Sequence, residues 1–252
     1  MSLKNQNKSP KLKKAERERY ARQMMLNNWG EETQRKIKSS KVFIAGAGGL
    51  GSPVSINLAL AGVGTLRICD YDSLELTNLN RQFLHNDSRI GMNKARSAKM
   101  TLKALNRDII VEAVEEKITE ENVEDLVGDS DLIIDCMDSY PARYLINIAA
   151  VKKRIPMIHG GIWGLEGMIT FFHHPETPCL ACIFPDAPPQ EVFPVLGATP
   201  SITGSIQAME ALKYLGNLGT PLKGRLLWCD YSEMSFKEVK VKKNPDCPVC
   251  SV

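Results

Sequence analysis

The strongest constraint on the fold is a glycine-rich turn between two apolar segments. Residues 42–61 read VFIAGAGGLGSPVSINLALA, and Gly46, Gly48 and Gly51 have the spacing G-x-G-x-x-G, with Gly49 between them. Such a stretch is typical of a strand, a tight turn and a buried helix. The glycines let the backbone approach a phosphate, and the helix N-terminus offers it free N–H groups. This pattern predicts a nucleotide site, but it serves NAD and ATP equally well.

Alternating patterns along the chain predict βαβ units. The predicted parallel strands are Val42–Ala45, Leu66–Cys69, Ile109–Val114, Leu132–Asp135 and Pro156–Ile158. The predicted helices between them include Ser52–Ala61, Lys94–Leu105 and Ala142–Lys152. After Gly160, the segments GMITFFHH, GRLLWCDY and SFKEVKV predict antiparallel strands around a helix at Gly204–Leu215. We therefore expect an α/β fold: a Rossmann-like, mostly parallel sheet flanked by helices, with an antiparallel C-terminal portion.

Composition limits the possible partners and compartments. The net charge of +3 is too small to predict a nucleic-acid or membrane partner. Residues 42–66 carry no charge, but their six glycines and Pro53 fit a strand, a turn and a helix better than a membrane span. With no secretory signal at the N-terminus, we expect a cytoplasmic protein. We expect residues 1–18 to be a basic flexible arm and residues 19–252 a single domain, divided at residue 160.

Four of the seven cysteines form two C-x-x-C pairs. The pairs are Cys179 with Cys182 and Cys247 with Cys250, separated by 64 residues and flanked by prolines. Four thiolates suit tetrahedral zinc and leave no position for water, so we predict a structural zinc knuckle that ties the C-terminal tail to the middle of the chain. A redox dithiol normally opens a helix, which the prolines do not favour. The remaining cysteines lie in or next to apolar runs and are predicted to be in the core: Cys69, Cys136 and Cys229.

Polar residues after the second predicted strand distinguish ATP from NAD. Asp70, 19 residues after Gly51, stands where an acidic side chain would bind ribose hydroxyls. The connection that follows holds more phosphate-directed side chains than a simple dehydrogenase needs: Asp72, Asn78, Asn80, Arg81, Gln82 and Lys94. A guanidinium binds phosphate oxygens in a fork and a lysine reaches a terminal phosphate. The set predicts a triphosphate site.

A further acidic pair follows the strand Leu132–Asp135. The segment reads DLIIDCMDSYPAR, with Asp135 ending the apolar run and Asp138 beyond it. Mg²⁺ usually binds through one or two carboxylates and substrate phosphates. Asp138 is the predicted Mg²⁺ ligand, whereas Asp135 is expected to cap the strand or bind backbone.

Taken together, these motifs resemble one family from about Arg19 to Cys250. They are RYARQ, GAGGLGS, DYDSLELTNLNRQFLH, GMNKA, DCMDS, C-x-x-C, GSIQAMEALK and NPDCPVC. The chain is similar to the MoeB/ThiF group of adenylyltransferases, which activate ubiquitin-like sulfur-carrier proteins and are related to ubiquitin-activating enzymes. The resemblance implies ATP, Mg²⁺ and Zn²⁺ as cofactors and a homodimer. It also implies a small carrier ending in Gly-Gly as the partner, in thiamine or molybdopterin biosynthesis.

The resemblance also implies residue roles. Gly48 would lie in the nucleotide loop and Asp70 would bind ribose. The side chains around the phosphates would be Asn78, Arg81, Gln82 and Lys94, and Asp138 would position Mg²⁺. Arg22, in RYARQ, matches an arginine that reaches into the partner subunit's site. The catalytic set is then Arg22, Arg81, Lys94 and Asp138, and residues 161–252 would carry the carrier-binding and zinc part.

One departure from the family concerns a cysteine. Many members have a cysteine about a dozen residues before the GSIQA helix, where Gln190 falls here. Either adenylation is the last step of this enzyme, or sulfur reaches the adenylate from an outside donor.

Two other functions remain open at this stage. An NAD(P)-dependent oxidoreductase would use the same loop and need a proton-transfer residue, for which His159 is the plausible candidate, although it could equally be a satisfied loop histidine. A non-catalytic, zinc-stapled dimer that only binds a carrier would have no need of Arg81, Lys94 and Asp138 together.

Overall fold

The computed structural model describes residues 10–187 and 194–251. The described residues form these strands: β1 Lys41–Ala45, β2 Thr65–Cys69, β3 Ile110–Val114, β4 Leu132–Asp135, β5 Met157–Trp163, β6 Glu166–Phe172, β7 Arg225–Asp230 and β8 Ser235–Lys240. Their helices are α1 Lys14–Arg19, α2 Ala21–Met24, α3 Gly30–Ser39, α4 Gly51–Ala61, α5 Lys94–Leu105, α6 Val123–Val127, α7 Tyr140–Lys153, α8 Leu180–Ile183 and α9 Ala198–Gly216.

All eight strands of the described residues belong to one sheet in the order β3-β2-β1-β4-β5-β6-β7-β8. The pairs from β3 to β5 are parallel, and those from β5 to β8 are antiparallel. The strand order reverses between β1 and β4, and Ala45 pairs with both Cys69 and Asp135. The segments after β1, β2 and β4 therefore leave the sheet at one edge, the usual place for a ligand in such folds.

Helices cover both faces of the parallel strands. On one face α4, α5 and α9 bury an apolar cluster that includes Leu58 and Leu102. On the other face α6 and α7 pack against Phe43 and Ile133. The predicted α/β class, the mostly parallel sheet and the antiparallel C-terminal strands are confirmed.

Two predicted boundaries differ from the structure in the C-terminal half. Strand β5 continues through Gly160 and Gly161 to Trp163, so the division expected at residue 160 falls inside a strand. A Cβ on Gly160 would lie 2.4 Å from the Gln207 side chain, so the glycine here makes room for α9. Helix α9 begins at Ala198, six residues before the predicted start at Gly204.

The prediction of a flexible arm is wrong for residues 10–18. Helix α1 lies in this segment, and Leu12 and Glu16 are buried. The Glu16 carboxylate accepts hydrogen bonds from Lys13 N at 2.6 Å and Lys38 Nζ at 2.7 Å. An apolar side chain and a buried ion pair therefore anchor a stretch whose composition looked disordered. Residues 1–9 lie outside the described residues.

Among the described residues, none of the helices has both the length and the apolar character needed to cross a membrane.

Candidate active site and four-cysteine cluster

The glycine loop fills the edge of the sheet where the strand order reverses. Gly46 has φ +97°, and a Cβ on it would lie 2.7 Å from the Cys136 carbonyl oxygen. A Cβ on Gly51 would lie 2.1 Å from the carbonyl oxygen of Gly46. Both positions exclude a side chain, because a Cβ would overlap backbone. At Gly48 a Cβ would meet only the Gln82 side chain among the described residues, with Nε2 at 3.5 Å, so these residues leave that side of the loop open.

Asp70 is bound to the backbone of the glycine loop. Its Oδ2 accepts a hydrogen bond from Ala47 N at 2.8 Å, and its Oδ1 accepts one from Asp72 N at 2.9 Å. Burial raises the pKa of the Asp70 carboxyl, and the Ala47 amide and Lys94 partly offset that rise. The predicted ribose ligand thus also ties the end of β2 to the glycine loop.

Lys94 and Asp72 form an ion pair beside Asp70. Lys94 Nζ lies 2.9 Å from Asp72 Oδ2, and its backbone N donates to Asp72 O, also at 2.9 Å. Lys94 begins α5 after Asn93, whose Oδ1 accepts a hydrogen bond from Arg96 N as an N-cap. The cap fixes where α5 starts, and so holds the ammonium group next to two carboxylates.

The crossover between β2 and α5 brings its polar residues to the glycine loop. Gln82 is buried next to Gly48, and the Arg81 side chain lies 3.8 Å from where a Cβ on Gly49 would stand. Arg81 Nη1 donates to the Asn80 side chain and to Thr77 O, both at 2.9 Å. Asn78 Oδ1 instead accepts from Glu75 N at 3.0 Å, which caps a 3₁₀ turn. The structure therefore places Arg81 and Gln82 against the loop, whereas Asn78 stabilises a turn within the crossover.

Asp138 is exposed at the same edge of the sheet, directly after β4. No hydrogen bond or ion pair engages its carboxylate in the part of the chain that the structure describes. The Asp72 carboxylate, followed by burial and then Asp138, raises the pKa of the neighbouring Tyr71 phenol. Asp72 and Asp138 therefore both lie close enough to Tyr71 to affect its phenol. Free carboxylate oxygens at this position fit a Mg²⁺ ligand.

Asp135, the other acidic residue of the segment, is fully buried and bound to protein. His159 Nδ1 lies 2.7 Å from Asp135 Oδ2, and Arg143 Nε lies 3.7 Å from the same oxygen. Asp135 Oδ1 accepts from Met137 N at 3.0 Å. The bond from Met137 N agrees with the expectation that Asp135 caps its strand or binds backbone, and the Mg²⁺ role of Asp138 stays a prediction.

Arg22 lies on α2, and among the described residues no hydrogen bond or ion pair joins its guanidinium to the glycine loop. Its neighbours in the chain are anchored: Tyr20 is buried with its OH 2.9 Å from Asn106 Nδ2, and Gln23 Nε2 donates to Ala61 O at 2.9 Å. The side chains of Met25 and Leu26, just beyond, are 77% and 58% exposed. Arg22 is therefore presented outward from a fixed segment beside exposed apolar residues.

The four paired cysteines converge in one cluster. Their Sγ atoms all lie within 4.8 Å of one another, with separations of 3.9 Å for Cys179–Cys182, 3.6 Å for Cys179–Cys247 and 3.4 Å for Cys182–Cys250. Four thiolates at a Zn–S distance of about 2.3 Å stand about 3.8 Å apart in a tetrahedron. The donor set and spacing fit zinc.

The other cysteines are in the core, as predicted. Cys69, Cys136 and Cys229 are all buried. Burial raises the pKa of the Cys69 thiol to about 12. Gln190, at the position where many family members have a cysteine, lies outside the described residues.

Comparison with known proteins identifies the family. A profile of the ThiF family matches residues 20–249. The chain belongs to the ThiF family. It is 42% identical over 239 residues to a SAMP-activating enzyme E1 of Haloferax volcanii, covering 92% of this chain and 88% of that protein. It is also 42% identical over 248 residues to a sulfur carrier protein adenylyltransferase of Thermus thermophilus, covering 94% of this chain and 92% of that protein.

Solved structures agree on the fold. The crystal structure of E. coli MccB with MccA-N7isoASN superposes with a TM-score of 0.84 at 23% identity, covering 94% of this chain and 75% of that one. This ThiF-family chain is an E1-like adenylyltransferase, as the motifs implied. The oxidoreductase hypothesis loses its candidate proton-transfer residue, because His159 is fully buried against Asp135.

Sequence reasoning did not predict the supporting roles of three side chains near the site. His85 is buried, with Nε2 2.9 Å from Ala47 O and Nδ1 2.8 Å from Ser97 Oγ, and so supports the glycine loop. Arg143 and His159 gather around Asp135. An acidic residue ending an apolar strand was the available signal, because a buried carboxylate needs partners.

Proposed function

We propose that this ThiF-family enzyme adenylates the C-terminal glycine carboxylate of a small ubiquitin-like sulfur carrier. The carboxylate oxygen attacks the α-phosphorus of ATP, the bond to the β-phosphate oxygen breaks, and pyrophosphate leaves. The convergence of the glycine loop, Asp70, Lys94 and Asp138 at one sheet edge carries this proposal, with the Asp138 carboxylate unpaired among the described residues. The two relatives of 42% identity, one named for SAMP and one for a sulfur carrier protein, support the substrate class.

The reaction brings two anions together, so catalysis consists of positioning and charge neutralisation. The glycine loop offers backbone N–H groups to the phosphates, and Asp70 offers its carboxylate to the ribose. Arg81 and Lys94 would change partners on ATP binding, from Asn80 and Asp72 to phosphate oxygens. Arg81 already lies against the loop and Lys94 already lies next to Asp72 and near Asp70, which limits the cost of reorganisation.

Asp138 would hold Mg²⁺ against the phosphates, on the side of the site where Asp72 also lies near Tyr71. Held there, Mg²⁺ would supply positive charge that offsets the phosphate charge in the transition state. The role of Asp138 itself is to present an oxygen ligand at the end of β4, a position that the parallel strand fixes.

Arg22 would act across a homodimer interface. Its outward placement beside exposed Met25 and Leu26 favours an interface at α2 over a role in its own subunit's site. The zinc knuckle would be structural and tie the tail to α7. The activated carrier would then deliver sulfur in thiamine or molybdopterin biosynthesis.

The direct test is to incubate the protein with ATP, Mg²⁺ and each Gly-Gly-ending carrier of the same genome. Adenylated carrier by intact mass, with pyrophosphate release, is the expected result. Carrier binding without pyrophosphate release would instead support a non-catalytic binding module.

Complementation tests Arg22 and Asp138 together. Arg22→Ala and Asp138→Ala should each be nearly inactive, because a charge contact made in the transition state contributes several kcal/mol. In a mixed dimer one site has both native residues and the other has neither. Since random exchange makes about half of the dimers mixed, activity should recover to roughly a quarter of wild type.

The control for this experiment is Arg17→Ala. Arg17 is an exposed arginine on the adjacent helix and is paired with Glu31, so its loss should leave activity unchanged. Background activity in mixtures whose chains demonstrably exchange would rule out a role of Arg22 in the partner's site.

A further inference from the structure

A buried polar cluster lies directly behind Asp138 and is not used by the reaction described above. Asp135 and His159 are fully buried, and the Arg143 side chain is 8% exposed. Strands β4 and β5 place Asp135 and His159 opposite each other in register. Arg143 comes from the first turns of α7, which starts two residues after Asp138. We call these three residues the Met137 clamp.

The clamp holds one peptide segment from both sides. Asp135 Oδ1 accepts a hydrogen bond from Met137 N at 3.0 Å. Arg143 donates to Met137 O from Nη2 at 2.6 Å and from Nε at 3.2 Å. Both backbone polar groups of the residue before Asp138 are therefore fixed by buried charged side chains, and such bonds are stronger than neutral ones.

His159 completes the clamp by holding Asp135. Its Nδ1 donates to Asp135 Oδ2 at 2.7 Å, while its Nε2 is buried without a partner among the described residues. Burial lowers the pKa of His159, so the ring is neutral, with its proton on the nitrogen that faces Asp135. With Asp135 Oδ2 held by His159, Oδ1 stays directed at Met137.

A buried charged group is costly unless its partners satisfy it, and apolar residues would fill this space at lower cost. What this cluster accomplishes is to fix the residue that precedes Asp138, whose own carboxylate has no partner in the described chain. We propose that Asp135, Arg143 and His159 are positioning residues that set the place of the Asp138 carboxylate for a divalent cation. This inference rests on the proposed role of Asp138.

Two substitutions of His159 separate positioning from packing. His159→Leu fills the space but removes the donor to Asp135, whereas His159→Asn keeps an N–H close to the position of Nδ1. Mn²⁺ binding is measured by electron paramagnetic resonance in the presence of the ATP analogue AMP-CPP, so no carrier is needed. We expect His159→Leu to weaken Mn²⁺ binding by about tenfold or more, as for other residues that orient metal ligands, and His159→Asn to bind nearly as wild type.

The variant Asp138→Ala distinguishes a failure of the proposed role of Asp138 from a failure of the clamp proposal. If Asp138→Ala binds Mn²⁺ as wild type does, the proposed role of Asp138 fails. If Asp138→Ala weakens binding but His159→Leu does not, or if Leu and Asn at position 159 weaken it equally, the clamp proposal is overturned. If His159→Leu does not fold, Arg143→Lys is measured instead, because it keeps the charge but loses the two-donor fork. Wild-type Mn²⁺ binding by Arg143→Lys would then overturn the clamp proposal.

Discussion

The glycine loop and the four-cysteine cluster hold their residues in place by different means. In the loop, protein groups already satisfy one another: Ala47 N donates to Asp70, and Ala47 O accepts from His85. In the cluster, four thiols meet beside a four-residue helix and a C-terminal segment whose described residues, 241–251, form neither a strand nor a helix. The first region is held by protein groups alone, whereas we expect the second to depend on a bound zinc ion. The two regions should therefore respond differently to substitution.

Loss of zinc should give the largest effect and be confined to the cluster. Cys247→Ser removes one thiolate, so we expect about one Zn²⁺ per chain to be lost and the free energy of unfolding to fall by several kcal/mol, since structural zinc contributes about 10 kcal/mol in small domains. Hydrogen exchange should show lost protection in residues 241–251 and retained protection in α4.

The matched control is Cys229→Ala, which removes a buried cysteine outside the cluster and should keep the zinc. Equal loss of protection in α4 and in the tail of Cys247→Ser would show that the two regions are not independent. Absence of zinc from the wild-type protein would refute the site.

Alanine substitutions at two glycines of the same loop should affect stability and nucleotide binding differently. Gly51→Ala places a Cβ 2.1 Å from the Gly46 carbonyl oxygen, so it should destabilise the fold by about 3 kcal/mol or more. The Cβ of Gly48→Ala meets only the Gln82 side chain among the described residues, at 3.5 Å from Nε2, and should change stability by less than about 1 kcal/mol. Because Gly48 lines the open side, its variant should still weaken ATP binding, measured by calorimetry. If ATP binds Gly48→Ala normally, the phosphates do not approach that residue.

Local spacing explains what could be predicted from the sequence. The glycine loop and the C-x-x-C pairs are short patterns whose chemistry needs particular residues at particular intervals. The pairing of Asp135 with His159 depends on the register of β4 and β5 across 24 residues. Helix α1 was missed because the burial of Leu12 and the pairing of Glu16 with Lys38 depend on residues distant in the sequence. Composition alone favoured a flexible arm there.

Removing the three core thiols should cost stability but spare the chemistry. Burial raises the pKa of each thiol, so Cys69, Cys136 and Cys229 are protonated at neutral pH and poor nucleophiles. Replacing all three with alanine should lower the free energy of unfolding by about 1 kcal/mol per site. ATP–pyrophosphate exchange in the presence of a carrier should remain. Loss of exchange in a folded triple variant would mean that a thiol takes part in activation.

The smallest expected effect is a pH dependence of the free energy of unfolding, which arises from His85 beside the glycine loop and His159 in the Met137 clamp. Burial lowers the pKa of both His85 and His159 below the ordinary value of about 6.5. As pH falls below that value the unfolded chain binds protons that the folded chain does not. Stability therefore decreases, by at most about 1.4 kcal/mol per pH unit for each histidine. The raised pKa of Asp70 acts in the opposite direction, but only in the more acidic range where carboxyl groups titrate.

Urea unfolding between pH 7.5 and 5.5 measures how steeply the free energy of unfolding changes with pH. Protonation of the zinc thiolates also contributes to this pH dependence, but equally in the wild type and in the variant. The contribution of the histidines is therefore isolated by comparing the wild type with the double variant His85→Asn/His159→Asn. The double variant should lose stability less steeply over this range, and equal slopes would show that neither ring is kept neutral by the fold.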